Sequence, residues 1–106
     1  MPTESRRPRR VAEAIRATLA EALNETLSDP ALSGTVITDV SVSDDLLVAH
    51  IGVRRLMDDG NEASRQRLVR HLEGAHGRLR RILGPRLELR KVPELRFFFD
   101  GGPDKR

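Results

Sequence analysis

The sequence predicts an α+β domain of two layers, in which helices pack on one face of a three-stranded sheet. Apolar residues recur at helical spacing near the N-terminus and again after residue 63. Between these stretches, and again near the C-terminus, they alternate at every second position, as in half-buried strands. No internal repeat or low-complexity linker divides the 106 residues, so a single domain of common size is expected.

The first helix is predicted from about Pro8 to Leu27. Proline suits an early helical position, and Ser28-Asp29-Pro30 ends the helix because proline restricts the residue before it. The core-facing stripe of this helix is predicted to be Val11, Ile15, Leu19, Ala22 and Leu23.

Two strands are predicted next, joined as an antiparallel hairpin. The first runs from Thr35 to Ser43, with Val36, Val40 and Val42 on one face, and Asp44-Asp45 is a turn signal. The short connection makes the pairing antiparallel. In the second strand the alternating apolar residues are Leu47, Ala49, Ile51 and Val53.

A loop from Met57 to Glu62 precedes a second helical stretch. From Ala63 onward, apolar residues recur at helical spacing, but Gly74 and Gly77 interrupt them. Each glycine costs about 1 kcal/mol relative to alanine inside a helix. We therefore predict two helices separated by a kink, with an apolar stripe of Leu68, Leu72, Ala75, Leu79, Ile82 and Leu83.

The last predicted element is a strand from Glu94 to Asp100, entered through Val92-Pro93. Leu95, Phe97 and Phe99 are expected in the core and Phe98 on the other face of the sheet. The order α-β-β-α-kink-α-β is that of a type II KH-like domain, an analogy of fold that implies no function by itself. We assign residues 8–100 to this single domain, 1–7 to a basic N-terminal arm and 101–106 to a short tail.

Composition excludes several classes of protein. The absence of cysteine excludes disulfide scaffolds and thiolate metal sites, and no apolar run approaches the roughly 18–20 residues of a membrane span. The basic N-terminus has no apolar segment after it, so it is not a secretory signal. We expect a soluble, cytoplasmic protein with no membrane partner.

Charge is distributed unevenly along the chain. The net charge is only +3, but residues 17–62 carry −7 and residues 63–91 carry +7. A folded, amphipathic segment with this excess of arginine is expected of a protein that binds a polyanion. The alternative is that the arginines only solvate the surface of the helices.

Phosphate contacts are expected from one histidine and the cations on the helices and the final turn. Arg78 and Arg81 are three residues apart and share a helix face, which Pro85 does not extend because it is expected beyond the helix. Arg80 is alternatively structural. The predicted RNA-binding residues are Arg7, Arg9, Arg10, Arg70, His76, Arg78, Arg80, Arg81, Arg86, Arg90 and Lys91.

The sequence offers few residues for base stacking, metal binding or catalysis. The sequence has no Trp or Tyr, so recognition should depend on backbone charge and shape, without a platform for base stacking. His71 and His76 are five apart and would point about 140° from each other on a helix, which does not suit a metal. No nucleophile and base are suitably spaced, so we expect neither an enzyme nor a cofactor.

Several segments, in order along the chain, resemble the ribosome-binding factor A (RbfA) family. They are Arg7-Pro8-Arg9-Arg10-Val11, Asp29-Pro30-Ala31-Leu32, Val40-Ser41-Val42-Ser43-Asp44-Asp45-Leu46, Ala75-His76-Gly77 and, most specifically, Leu89-Arg90-Lys91-Val92-Pro93-Glu94-Leu95-Arg96-Phe97. The resemblance implies a non-catalytic factor that binds the small ribosomal subunit and its immature rRNA late in assembly. It also implies support of rRNA maturation and cold adaptation.

The glycine pair has two interpretations. By letters, Gly74-Ala75-His76-Gly77 matches the G-x-x-G loop with which KH domains clamp a nucleic-acid backbone. The family resemblance instead implies a tight alanine-x-glycine kink, in which Ala75 is small and Gly77 allows close approach of the helices. The kink is the favoured interpretation.

Two further hypotheses remain open at this point. One is a generic KH domain for single-stranded RNA, and the other is a protein-interaction module whose acidic half, residues 17–62, docks a basic partner. For the leading hypothesis the partners are the small subunit and its rRNA. We expect a monomer, and the sequence leaves open whether an assembly GTPase also takes part.

Overall fold

The computed structural model describes residues 6–25 and 30–101, which form the predicted α+β architecture. In these residues, three α-helices pack on a three-stranded sheet around one core, and a short 3-10 turn at Pro30–Leu32 follows the first helix. The elements are α1 (Arg6–Glu25), β1 (Thr35–Val42), β2 (Val48–Arg55), α2 (Glu62–Gly74), α3 (His76–Leu87) and β3 (Glu94–Phe99).

Helix α1 carries the predicted apolar stripe. Its five predicted core residues are all buried, with Ile15 and Leu19 fully so. The helix begins at Arg6, two residues before Pro8, and therefore includes Arg7, which we had assigned to the N-terminal arm. The predicted end at Leu27 and the stop at Ser28-Asp29 lie outside the described residues, as do residues 1–5 and 102–106.

The sheet has the order β1-β2-β3, and its hairpin is the predicted antiparallel one. At the turn, the Asp45 carboxylate accepts hydrogen bonds from the Ser43 hydroxyl at 2.7 Å and from the Leu47 N–H at 3.1 Å. These bonds, that of Ser43 first, lower the pKa of Asp45. Strand β3 pairs with β2 in parallel, which requires the chain to cross the length of the sheet between them. Helices α2 and α3 form that crossover.

The predicted core face of β1 is wrong at its first position. Ile37, and not Val36, shares the core face with Val40 and Val42, since Ile37 pairs with buried Val53. The register shifts between Ile37 and Asp39, so Thr38 is an extra residue in a β-bulge, and strict alternation fails across it.

The second and third strands supply the centre of the core. Ala49, Ile51 and Val53 are fully buried, as predicted, whereas Leu47 precedes β2 and is 50% exposed, contrary to prediction. On β3, Leu95 and Phe97 are buried, Phe99 is half-buried and Phe98 is exposed on the other face, as predicted.

Helix α3 continues through Pro85, contrary to prediction. It ends at Leu87, and Glu88 follows in the left-handed region with φ 54°. Leu87 packs against the core one turn beyond buried Leu83, so continued packing explains the tolerance of a proline near the helix end. Proline there removes one backbone donor from the helix.

Candidate nucleic-acid interface

A single residue, Ala75, separates α2 from α3. Its N–H donates to the carbonyls of His71 and Leu72 at 3.0 and 3.1 Å, and its own carbonyl accepts from the Leu79 N–H at 2.9 Å. Ala75 is 2% exposed and has φ −90° and ψ 3°. The break is therefore the predicted kink, and no four-residue clamp loop forms.

The two glycines beside the kink do not have the packing role that we predicted for Gly77. A Cβ atom added at Gly74 or at Gly77 would meet nothing within 4 Å, and neither glycine has a positive φ. Close approach of the helices depends on buried Ala75, whereas Gly77 faces open space.

Two arginines of α3 project freely into solvent. Arg78 and Arg81 are both exposed, and neither forms a hydrogen bond or ion pair with another described residue. Arg90 and Lys91, in the bend before β3, are also exposed. We call Arg78, Arg81, Arg90 and Lys91 the basic surface. A guanidinium without a protein partner can bind a phosphate through two parallel N–H groups.

Arg80 and His76 lie on a different side of α3 and contact the chain itself. Arg80 donates from Nη2 to the Val92 carbonyl at 2.7 Å and from Nε to the Pro93 carbonyl at 3.2 Å. His76 Nε2 lies 3.2 Å from the Leu95 backbone N–H and accepts its hydrogen bond. Arg80 thus holds the residues that follow Arg90 and Lys91 beside α3, and His76 holds the start of β3. This geometry favours the structural alternative for Arg80, and it gives His76 a similar role.

Sequence reasoning missed Glu73, which acts together with His76. Glu73 Oε2 accepts a hydrogen bond from the Phe97 N–H at 3.0 Å. The outward N–H groups of Leu95 and Phe97, on the edge strand β3, are therefore both covered by side chains of the helix pair. Covering an exposed strand edge prevents other chains from pairing with it. The sequence signal for this role was the position of Glu73, an acidic residue three positions before His76 in a stretch that is otherwise mostly basic.

The remaining predicted cations are dispersed. Arg86 forms an ion pair with Glu21 of α1 at 2.9 Å, and both side chains are more than half exposed, so the pair contributes little to stability. Arg70 is exposed on α2. Arg7, Arg9 and Arg10 are exposed in the first turns of α1, and their participation with the basic surface stays a prediction.

A further arginine of α2 is occupied within the chain. Arg65 holds Asp58 through two hydrogen bonds, Nη2 to Oδ2 at 2.5 Å and Nε to Oδ1 at 3.2 Å. Its guanidinium also lies 4.8 Å from the ring centroid of Phe99. The bond from Arg65 lowers the pKa of Asp58. Arg65 is thus unavailable to a ligand without breaking these contacts.

Residues 6–25 and 30–101 contain no group of three or more His, Cys, Asp or Glu side chains arranged to hold a metal ion. No helix among them is long and apolar enough to cross a membrane.

This chain matches a known protein family over most of its length. A sequence model of the family described as ribosome-binding factor A matches residues 7–106. The chain belongs to the ribosome-binding factor A family. Among curated relatives, ribosome-binding factor A of Sorangium cellulosum (strain So ce56) is 42% identical over 99 residues, covering 93% of this chain and 79% of that protein. That of Alkalilimnicola ehrlichii is 39% identical over 105 residues, covering 99% and 79%.

Solved structures of ribosome-binding factor A have the same fold. The crystal structure of the Thermus thermophilus protein has a TM-score of 0.76 at 25% identity, covering 91% of this chain and 99% of that one. The solution structure of a Thermotoga maritima relative has a TM-score of 0.77 at 30% identity, covering 94% and 92%. A homology model of the Thermus thermophilus factor, fitted into a cryo-electron microscopy map of a 30S–RbfA complex, has a TM-score of 0.69 at 26% identity, covering 88% and 96%.

Proposed function

We propose that this chain is a non-catalytic assembly factor that binds the immature small ribosomal subunit and supports late rRNA maturation. The observation that carries the proposal is the exposed, unpaired pair Arg78 and Arg81 on α3, in a member of the ribosome-binding factor A family. The fit of the Thermus thermophilus relative into a map of its 30S complex supports the same partner for this chain.

The mechanism is binding of backbone phosphates by the basic surface. Arginine forks suit phosphate oxygens, and each phosphate that is neutralised releases counterions and adds to the salt dependence of binding. Arg80, His76 and Glu73 contribute by holding the helix pair against the start of β3, so that the cations are presented in a fixed arrangement. We expect Arg70, Arg86, Arg7, Arg9 and Arg10 to add weaker, peripheral contacts.

The cellular setting follows from this function. The factor acts in the cytoplasm as a monomer with a single functional domain, which includes all of α1 from Arg6. Its activity requires neither a cofactor nor a reaction at the protein. The proposal includes support of cold adaptation, because low temperature slows rRNA folding, which is the step that the factor assists.

The two other hypotheses receive less support. A KH-type clamp would need a loop at the glycine pair, whereas Ala75 alone separates the helices. A protein-interaction module docking through its acidic half would bind its partner with a shallow salt dependence, whereas phosphate binding gives a steep one.

Charge reversal tests the proposal directly. We expect the double variant Arg78→Glu/Arg81→Glu to bind small subunits at least about tenfold more weakly and with a salt slope smaller by about two, because two phosphate contacts are lost. The matched control is Arg16→Glu/Arg54→Glu, which reverses two exposed arginines on α1 and β2. Equal binding of both double variants, with unchanged circular dichroism, would contradict the assignment of the basic surface.

A further inference from the structure

A groove lies between the start of β2, the start of α3 and the segment that leads into β3. Its apolar lining comes from Leu47, Val48 and Val92. Leu47 is half exposed although it is a large apolar side chain, and its backbone is fixed by the Glu94 N–H, which donates to the Leu47 carbonyl at 2.8 Å. The hairpin therefore presents this leucine to the groove and leaves it incompletely covered.

Polar groups line the same groove. His76 uses Nε2 to accept from the Leu95 N–H, so in the tautomer that this bond requires, Nδ1 carries the proton and is a donor. Arg80 donates two hydrogen bonds, to the Val92 and Pro93 carbonyls. The exposed Lys91 also lines the groove. The Glu94 carboxylate is paired with Arg96 at 3.2 Å.

The surroundings of the groove are basic. Lys91 belongs both to the groove and to the basic surface, and Arg90 precedes it in the chain. This positive charge favours an anionic ligand beside the groove.

We propose that this groove takes one unpaired nucleobase of the RNA whose phosphates the basic surface contacts, an inference that rests on the proposed function. A nucleobase has two apolar faces and a polar edge, which match the apolar lining and the donor and acceptor groups of His76 and Glu94. Unpaired bases of RNA loops and ends can turn out of the stack into such sites. The cations around the groove favour a nucleic acid over an apolar peptide.

A pair of leucine substitutions tests the groove. We expect Leu47→Glu to weaken binding of small subunits about tenfold, because it places a carboxylate where the base would lie. Leu56→Glu is the matched control, since Leu56 is 75% exposed at the opposite end of β2 and outside this groove. Leu47→Ala, which removes apolar contact without adding charge, is expected to weaken binding by a smaller factor. Equal binding of Leu47→Glu and Leu56→Glu would overturn the proposal.

Photo-cross-linking provides the second measurement. The wild-type protein is bound to small subunits whose rRNA carries 4-thiouridine, and the complex is irradiated. The peptides that cross-link to the rRNA are then mapped. We expect cross-links at residues 47–48 or 91–92, and cross-links confined to other segments would overturn the nucleobase site. Suppose that the wild type binds small subunits and Arg78→Glu/Arg81→Glu does not. Unchanged binding of Leu47→Glu and cross-links outside the groove would then refute the nucleobase site but not the proposed function. Absence of wild-type binding would refute the proposed function itself.

Discussion

At the scale of single residues, neighbouring arginines of α3 have different roles. Arg78 and Arg81 have no partner among the described residues, whereas Arg80 holds two carbonyls of the segment before β3. Sequence spacing predicted that Arg78 and Arg81 share a face. It could not decide between the two roles of Arg80, because the partners of this residue lie twelve and thirteen residues away along the chain.

Truncation should separate these roles. We expect Arg80→Ala to lower the free energy of unfolding by about 1–3 kcal/mol, since two charge-assisted hydrogen bonds are lost in a partly buried place. Arg78→Ala should change it by less than about 0.5 kcal/mol, as expected of an exposed residue. Urea denaturation of both variants checks this, and identical midpoints would contradict a structural role for Arg80.

Asp58 should contribute to the pH dependence of stability. Its pKa is lowered in the folded protein, first by the hydrogen bond from Arg65, so the ionised carboxylate favours folding. That contribution is complete above the unfolded pKa of about 3.9 and is lost as the pH falls through the lower folded value.

The matched comparison is wild type against Asp58→Asn. We expect the variant to be less stable at pH 7 and the difference to shrink as the pH falls below about 4. Urea unfolding at neutral pH and at two acidic pH values measures it, with Asp59→Asn as the control because no hydrogen bond joins Asp59 to Arg65. A difference that stayed constant over this range would show that Asp58 does not act through its charge.

At the scale of elements, the sequence predicts the three α-helices and the three strands of the described residues, but not the 3-10 turn at Pro30–Leu32 or two local departures from regularity. Because of the bulge at Thr38, Ile37 lies on the core face of β1, where the sequence pattern predicted Val36. A signal for it was Gly52 opposite, where a Cβ would lie 2.7 Å from Thr38 Oγ1 and 2.9 Å from Phe98 Cζ. Glycine inside a strand often marks a bulge or a close approach. Pro85 stayed helical because packing of Leu87 outweighs one missing donor, which composition alone does not reveal.

The kink allows a test with opposite expected signs at two positions. Gly77→Ala should stabilise the domain by up to about 1 kcal/mol, because the added methyl meets open space and alanine favours a helix. Ala75→Leu should destabilise it by about 1–3 kcal/mol or more, because Ala75 is buried in the core. Thermal unfolding of both variants decides, and stabilisation by Ala75→Leu would contradict tight packing at the kink.

At the scale of the whole molecule, chain topology packs the basic helices α2 and α3 against the last strand. The parallel pairing of β3 with β2 requires the crossover through α2 and α3, and the polar bonds of Glu73, His76 and Arg80 attach that crossover to β3. The charged block at residues 63–91 was evident from sequence. The sequence did not show which cations of this block face outward, because that depends on contacts between segments that are distant in the chain.

The proposed function depends on selective binding to the small subunit through rRNA phosphates. The most direct measurement is co-sedimentation of the purified protein with small subunits, large subunits and complete ribosomes at a low and a physiological salt concentration. We predict selective pelleting with free small subunits that weakens steeply as salt rises. Equal binding to all three particles would contradict selectivity, and no pelleting with small subunits at low salt would contradict the proposed function.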